Sequence, residues 1–189
     1  MKTFPGILLI ICTASLNAQE KEEVEQRINF DDVPQKAVEW LDDAYEKPRR
    51  TKWYYEETSG LKSYEAKFKW NDHIHSVEFN TAGVVQDIEI TITWHDLPEI
   101  VQQAMSTYLD SAFFKHSVQK IQKQWTGDPD DLEDLMDEDE YEGVIIRYEI
   151  EYYGKNESHD SLWEGLFDSE GILLHERKIK LRPTNNLNF

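Results

Sequence analysis

Three things are scarce in this chain: cysteine, basic charge to balance its acids, and long apolar runs. Cys12 is the one cysteine in 189 residues, so no internal disulfide can form and an ordinary hydrophobic core must hold the fold. Lysine and arginine total 20 against 38 aspartates and glutamates, a formal net charge of −18. Such a field argues against nucleic acid, whose phosphates demand a basic footprint, and disfavours anionic membranes. Solubility alone also accounts for it. No run approaches the roughly 20 apolar residues of a membrane-spanning helix. Catalytic signatures are missing as well: there is no Gly-x-Ser-x-Gly elbow, no His-Glu-x-x-His helix, no P-loop and no Gly-x-Gly-x-x-Gly turn. Carboxylate pairs are too common at this acidity for any one to stand out. No catalytic residue, cofactor or metal ligand is therefore assigned, and the chain is read as a non-enzyme.

What is present begins with an address. Lys2 is the only charge before Glu20, and an apolar run from Ile7 to Cys12 leads into small and polar residues ending at Ala18. That is a basic, then apolar, then small-residue order with cleavage after Ala18, a secretory signal over residues 1–18. Ile11 before Cys12 stands where a lipoprotein would have a small residue. The expected location is periplasmic or secreted. Cleavage removes the cysteine and leaves roughly 170 residues, enough for one or two small domains.

Two segments then share three landmarks in order. Phe30-Asp31-Asp32-Val33-Pro34 matches Trp94-His95-Asp96-Leu97-Pro98, Tyr64-Glu65-Ala66-Lys67-Phe68 matches Tyr148-Glu149-Ile150-Glu151-Tyr152, and Phe79 to Val84 matches Phe167 to Ile172. The offsets grow from 64 to 84 to 88 residues, as insertions in the second copy require. Asp32 and Asp96 are candidate helix caps, with Pro34 and Pro98 in the first turn. Apolar stripes follow at helical spacing: Val33, Ala37, Trp40, Leu41 and Ala44, then Leu97, Ile100, Val101, Ala104, Met105 and Tyr108. The period then falls to two. Tyr64, Ala66, Phe68 and Trp70 alternate with charged residues, as do Tyr148, Ile150 and Tyr152, the mark of half-buried antiparallel strands. Segments 51–57 and 117–125 are expected as first strands, 84–92 and 172–181 as closing strands, with Asn80–Gly83 and Asp168–Gly171 as hairpin turns.

The expected fold is α+β: two tandem repeats, each one helix packed on an antiparallel sheet of about four strands. The boundaries are a lead segment at 19–29, repeat 1 at 30–93, repeat 2 at 94–181 with an acidic insert at 127–143, and a tail at 182–189. The order of Val-Pro or Leu-Pro helix start, Tyr-Glu strand and Phe-Asn/Asp-x-x-Gly turn resembles the PepSY-like domain family. Two tandem copies resemble the arrangement of β-lactamase inhibitor proteins. The resemblance implies an exported protein that binds or inhibits another protein of the envelope. Without mature cysteines, the disulfide-braced loops of those inhibitors are not available to it.

The insert carries no lysine or arginine between Lys123 and Arg147. Unneutralised charge predicts a mobile, solvated loop over 128–142 that folding does not need. Calcium binding is its functional alternative, although the acids do not match an EF-hand spacing. His73 and His75 form a His-x-His pair on one strand face, too few ligands for a metal site without a third from elsewhere. Trp53, Tyr54 and Tyr55 cannot all face inward on a strand. Since the aromatic phase of the strands goes to the core, the opposite phase forms a charged open sheet face. Candidate protein-binding residues there are Tyr54, Glu65, Lys67, Glu149 and Glu151, suited to a basic or mixed-charge partner. The leading reading is an exported binding module, followed by an acidic calcium-responsive protein and then by a hydrolase.

Overall fold

A computed structural model describes residues 23–46, 48–58 and 60–179. The leader, Cys12, the end of the strand expected to reach Leu181 and the tail lie outside them. In chain order the elements are β1 (Glu23–Ile28), α1 (Gln35–Ala44), β2 (Lys52–Thr58), β3 (Leu61–Trp70), β4 (His73–Asn80), β5 (Val85–Ile92), α2 (Glu99–Ala112), β6 (Lys115–Thr126), α3 (Pro129–Asp137), β7 (Ile145–Lys155), β8 (Asp160–Asp168) and β9 (Leu173–Lys178). A short 3₁₀ turn precedes each of the first two helices, at Phe30–Asp32 and Trp94–Asp96.

The nine strands among the described residues form a single antiparallel sheet in sequence order, each paired with the next. This corrects the expectation of two tandem helix-on-sheet repeats. The sheets of the two halves are not separate, because β5 pairs with β6 from Ile88 opposite Trp125 to Ile92 opposite Ile121. An edge left there would present a row of unpaired amides and carbonyls, and joining the halves removes both edges at once. The lead segment also supplies a strand, β1, which pairs with β2 from Glu23 opposite Thr58 to Ile28 opposite Trp53.

The second correction concerns the acidic insert. Residues 129–137 are a helix with Pro129 at its start and Asp128 in the cap position. Leu132 and Leu135 are buried, and Met136 packs beside them on the first core cluster. Their spacing of three and four residues is one helical stripe, with the acids on the other faces. The Trp40 indole donates a hydrogen bond to the Pro129 carbonyl at 3.0 Å, tying α3 to α1. Apolar burial along this stripe outweighs the repulsion that predicted a loop.

The helices lie over one face of the sheet, above two clusters of buried side chains. The first gathers Ala37, Leu41 and Tyr45 with Trp53, Phe68, Val77, Phe79 and Ile88, and the second Val101, Met105 and Leu109 with Ile150, Tyr152, Trp163 and Phe167. Ile146 packs against both. The aromatic phase of the strands is thus inward, as alternation requires. The helix stripes were read with one error, since Ile100 is 63% exposed. The caps also differ: Pro34 and Pro98 occupy the cap positions of α1 and α2. Thr93 is the cap of the second 3₁₀ turn, and the Asp96 carboxylate at the turn's third position reaches back to accept from the Thr93 amide (2.8 Å) and hydroxyl (2.7 Å).

The two hairpin turns form as expected. Asn80 Oδ1 accepts from the Ala82 and Val84 amides, and Asp168 Oδ1 from those of Glu170 and Ile172. Gly83 and Gly171 take φ of 76° and 82°. Each turn abuts a helix so closely that a Cβ on Gly171 would lie 2.9 Å from the Ala104 Cβ.

A candidate binding groove on the open sheet face

Strand alternation puts every second residue on the face the helices leave uncovered. Tyr54 and Glu56 of β2 project there because Trp53 goes to the core. Glu65 and Lys67 follow on β3, Ser76 and Glu78 on β4, Asp87 and Glu89 on β5, Gln122 and Gln124 on β6, and Glu149 and Glu151 on β7. All of these but Tyr54 line a groove of about 640 Å³. Nine carboxylates and four cations border it, so the groove is acidic in its own right.

Its centre is a row of three carboxylates in register on adjacent strands. Glu65 lies opposite Glu78 across β3 and β4, and Glu78 lies opposite Asp87 across β4 and β5. Like charges directly opposite are destabilising. Asp87 is half-buried, and no side chain among the described residues hydrogen-bonds to it. Burial, then the charges of Glu78, Glu149 and Glu65, push its carboxyl well above the usual carboxylate range. Glu65 and the acids around the row are better served. Glu89 accepts from both Gln122 and Gln124, the latter at 3.2 Å. The Ser76 hydroxyl donates to Glu65, Arg177 pairs with Glu164, and Lys120 Nζ is 3.5 Å from Glu151.

Lys67 closes one end. Its ammonium lies 2.7 Å from Glu65, 3.2 Å from Glu25 and 3.9 Å from Glu56, and 5.0 Å from the centre of the Tyr54 ring. Burial opposes its charge, yet the three carboxylates more than compensate and hold it above the usual lysine range. Burial likewise raises Glu65, but the hydrogen bond it accepts from the Glu56 carboxyl and the charge of Lys67 leave it below its ordinary value. Glu25, Glu56 and Glu65 bring their oxygens within 4.8 Å of one another, close enough for a cation, and the Lys67 ammonium is that cation.

Four of the five residues singled out in the sequence, Glu65, Lys67, Glu149 and Glu151, line this groove. Tyr54 joins it through its contact with Lys67. Sequence reasoning missed Glu78, Asp87 and Glu89. The signal was available, because they alternate with Val77, Phe79 and Ile88. The histidine pair does not converge on a ligand: His75 is buried with Nδ1 3.1 Å from the Tyr45 hydroxyl, while His73 is exposed beside the Thr91 carbonyl. Of the insert's acids, Asp130, Asp131, Glu133, Asp134 and Asp137 are displayed along α3, and Glu138, Asp139, Glu140 and Glu142 follow its end. Among the described residues no helix is long and apolar enough to cross a membrane.

No family model and no curated protein matches this sequence. Solved structures do match its fold. A DUF2874 family protein from Bacteroides uniformis is similar at a TM-score of 0.55 and 16% identity, over 77% of this chain and 89% of that one. A protein from Bacteroides eggerthii, described as periplasmic, is similar at 0.51 and 17%, over 77% and 88%. A BLIP-like protein from Bacteroides fragilis reaches 0.48 at 17% identity over 76% and 84%, a score from which nothing follows. At such identities the likeness is one of fold. The PepSY-like assignment gains no support from it.

Proposed function

We propose that this chain is an exported, non-enzymatic binding module whose open sheet face receives a lysine- or arginine-bearing segment of another protein. The observation that carries this reading is the register of Glu65, Glu78 and Asp87. Three carboxylates opposite one another cost stability, and a guanidinium or ammonium laid across them would relieve that cost. The Lys67 cage supports it from within the chain, since Glu25, Glu56 and Glu65 already hold a lysine side chain between them. Export rests on the leader sequence, with support from a fold neighbour described as periplasmic.

The test is a pair of extended peptides, one rich in arginine and lysine and one with glutamate at the same positions. Surface-plasmon association rates are taken at two salt concentrations. The basic peptide alone should bind. Its association rate should fall as salt shortens the screening length, about 10 Å at 0.1 M. Reversing Glu149 and Glu151 to lysine should slow association while circular dichroism stays unchanged. Equal binding of the two peptides, or rates indifferent to salt and to charge reversal, refutes the reading.

A further inference from the structure

The sheet has β1 at one end and β9 at the other, and the two edges are finished differently. In β9, Leu173 faces Phe167 and His175 faces Leu166, so Leu174 is an extra residue that breaks the register, and the strand ends on Arg177 and Lys178. A bulge and terminal cations keep an edge from pairing with another chain. β1 has neither. Its residues, Glu23–Ile28, run in unbroken register with β2 and include no proline and no lysine. In an antiparallel ladder alternate residues turn their N–H and C=O groups outward, and no described strand meets those of β1.

The pattern of β1 is complementary to itself. Glu25 and Arg27 lie on the open face, opposite Glu56 and Tyr54, while Val24 and Ile28 share the helix side, Ile28 opposite the buried Trp53. Val24 is 48% exposed, and among the described residues Arg27 has no acidic partner. A two-fold axis perpendicular to the sheet keeps like faces together, so two copies of β1 pair about one central residue. Centring on Glu25 sets Glu25 against Glu25, and centring on Arg27 sets Arg27 against Arg27, both destabilising. Centring on Gln26 sets each Glu25 opposite the other copy's Arg27, and each Val24 opposite the other copy's Ile28.

We propose that β1 pairs antiparallel with β1 of a second copy of this chain, centred on Gln26, so that two nine-stranded sheets become one. Two ion pairs form on the open side of the seam and two apolar pairs on the helix side. Both acidic grooves then face the same way, and the dimer does not depend on what occupies them. Repulsion between chains of net charge −18 is screened beyond about 10 Å at 0.1 M salt, whereas facing side chains of paired strands stand about 5 Å apart.

Sedimentation velocity over a concentration series, at about 0.15 M salt, tests this on the leaderless chain. One strand edge is a small interface, so a monomer–dimer equilibrium with a dissociation constant of roughly 10–100 µM is expected. Glu25→Arg and Arg27→Glu should each weaken the homodimer about ten-fold or more, because each sets like charges opposite one another twice. An equal mixture of the two variants should associate like the parent, since every facing pair is again of opposite charge. The double variant Glu25→Arg, Arg27→Glu should dimerise by itself for the same reason. These two recoveries also show that the single variants fold. Val24→Lys should weaken the dimer, and Leu174→Lys on β9 should leave it unchanged. A parent still monomeric at about 1 mM, where a millimolar dimer would hold half the chains, overturns the proposal. A mixture no better than its components overturns it too, as does a dimer broken by Leu174→Lys. Assemblies larger than a dimer would mean head-to-tail pairing of β1 with β9, and would equally overturn it.

Discussion

Glu78 and Asp87 stand directly opposite each other on the open face of β4 and β5, two acids where the pairing of a sheet favours opposite charges. A sheet selected for stability alone would not place them so. The pairing therefore separates what the face costs the fold from what it can do for a partner.

Asp87→Asn keeps the shape and removes one charge. Because the folded carboxyl is held above its unfolded value of about 3.8, its contribution runs against the usual carboxylate trend. The unfolded chain loses this proton first, so stability falls as pH rises above about 4 toward the raised folded value. The variant should be more stable than the parent at pH 7 by about 1 kcal/mol, with the gain vanishing near pH 4. Urea denaturation at the two pH values measures it. A variant less stable at pH 7 would show that the carboxylate is wanted by the fold.

His75 behaves in the opposite sense. Burial, with a smaller effect from His73, lowers its imidazole to about 4. The unfolded side chain, near 6.5, binds its proton first on acidification, so this stability is complete above about 6.5 and is lost toward 4. Between pH 7 and pH 5 the parent should lose about 2 kcal/mol on this account. His75→Gln should show a shallower acid limb, whatever its stability at pH 7. Parallel acid limbs in parent and variant would exclude His75 as the source.

Leu132→Ala should cost about 2–5 kcal/mol, since the side chain is fully buried and leaves a cavity between α3 and α1. Trp40→Phe should cost about 1 kcal/mol through loss of the bond to the Pro129 carbonyl. Deleting residues 128–142 should lower the thermal midpoint markedly, with or without chelator. A midpoint that does not move would restore the picture of a dispensable acidic loop.

Gly171→Ala should destabilise by about 1–3 kcal/mol, because φ is 82° and the new methyl would meet Ala104 and the Val101 carbonyl at 2.9 Å. Gly60→Ala is the control. Its φ of 84° carries the same backbone strain with nothing within 4 Å, so the difference between the two isolates the packing of the turn on α2. Equal costs would show that backbone strain alone sets the penalty.

Much of this molecule can be read without coordinates, and the failures share a cause. Alternation in Tyr64 to Trp70 and Tyr148 to Tyr152 identifies strands and their inner face, because a side chain's direction is set locally. The Asn80 and Asp168 turns are legible for the same reason. What cannot be read locally is which strand edge meets which, so β5 and β6 were placed in different sheets. The insert failed differently: its charge was weighed and the stripe of Leu132, Leu135 and Met136 was not. The groove was half visible. Glu65, Lys67, Glu149 and Glu151 follow from alternation along β3 and β7; the same alternation marks Glu78 and Asp87, but that Glu78 stands opposite both Asp87 and Glu65 needs the register of β3, β4 and β5.

The ladder between β5 and β6 has a further consequence. Separating the two halves would strip the hydrogen bonds from Ile88–Ile92 and their partners at residues 121–125, and would uncover Ile146, which packs against both clusters. Neither half can melt and leave its neighbour capped. The chain should therefore unfold in one cooperative transition, with calorimetric and van't Hoff enthalpies in agreement, and a ligand bound at either end of the sheet should raise the melting temperature of the whole.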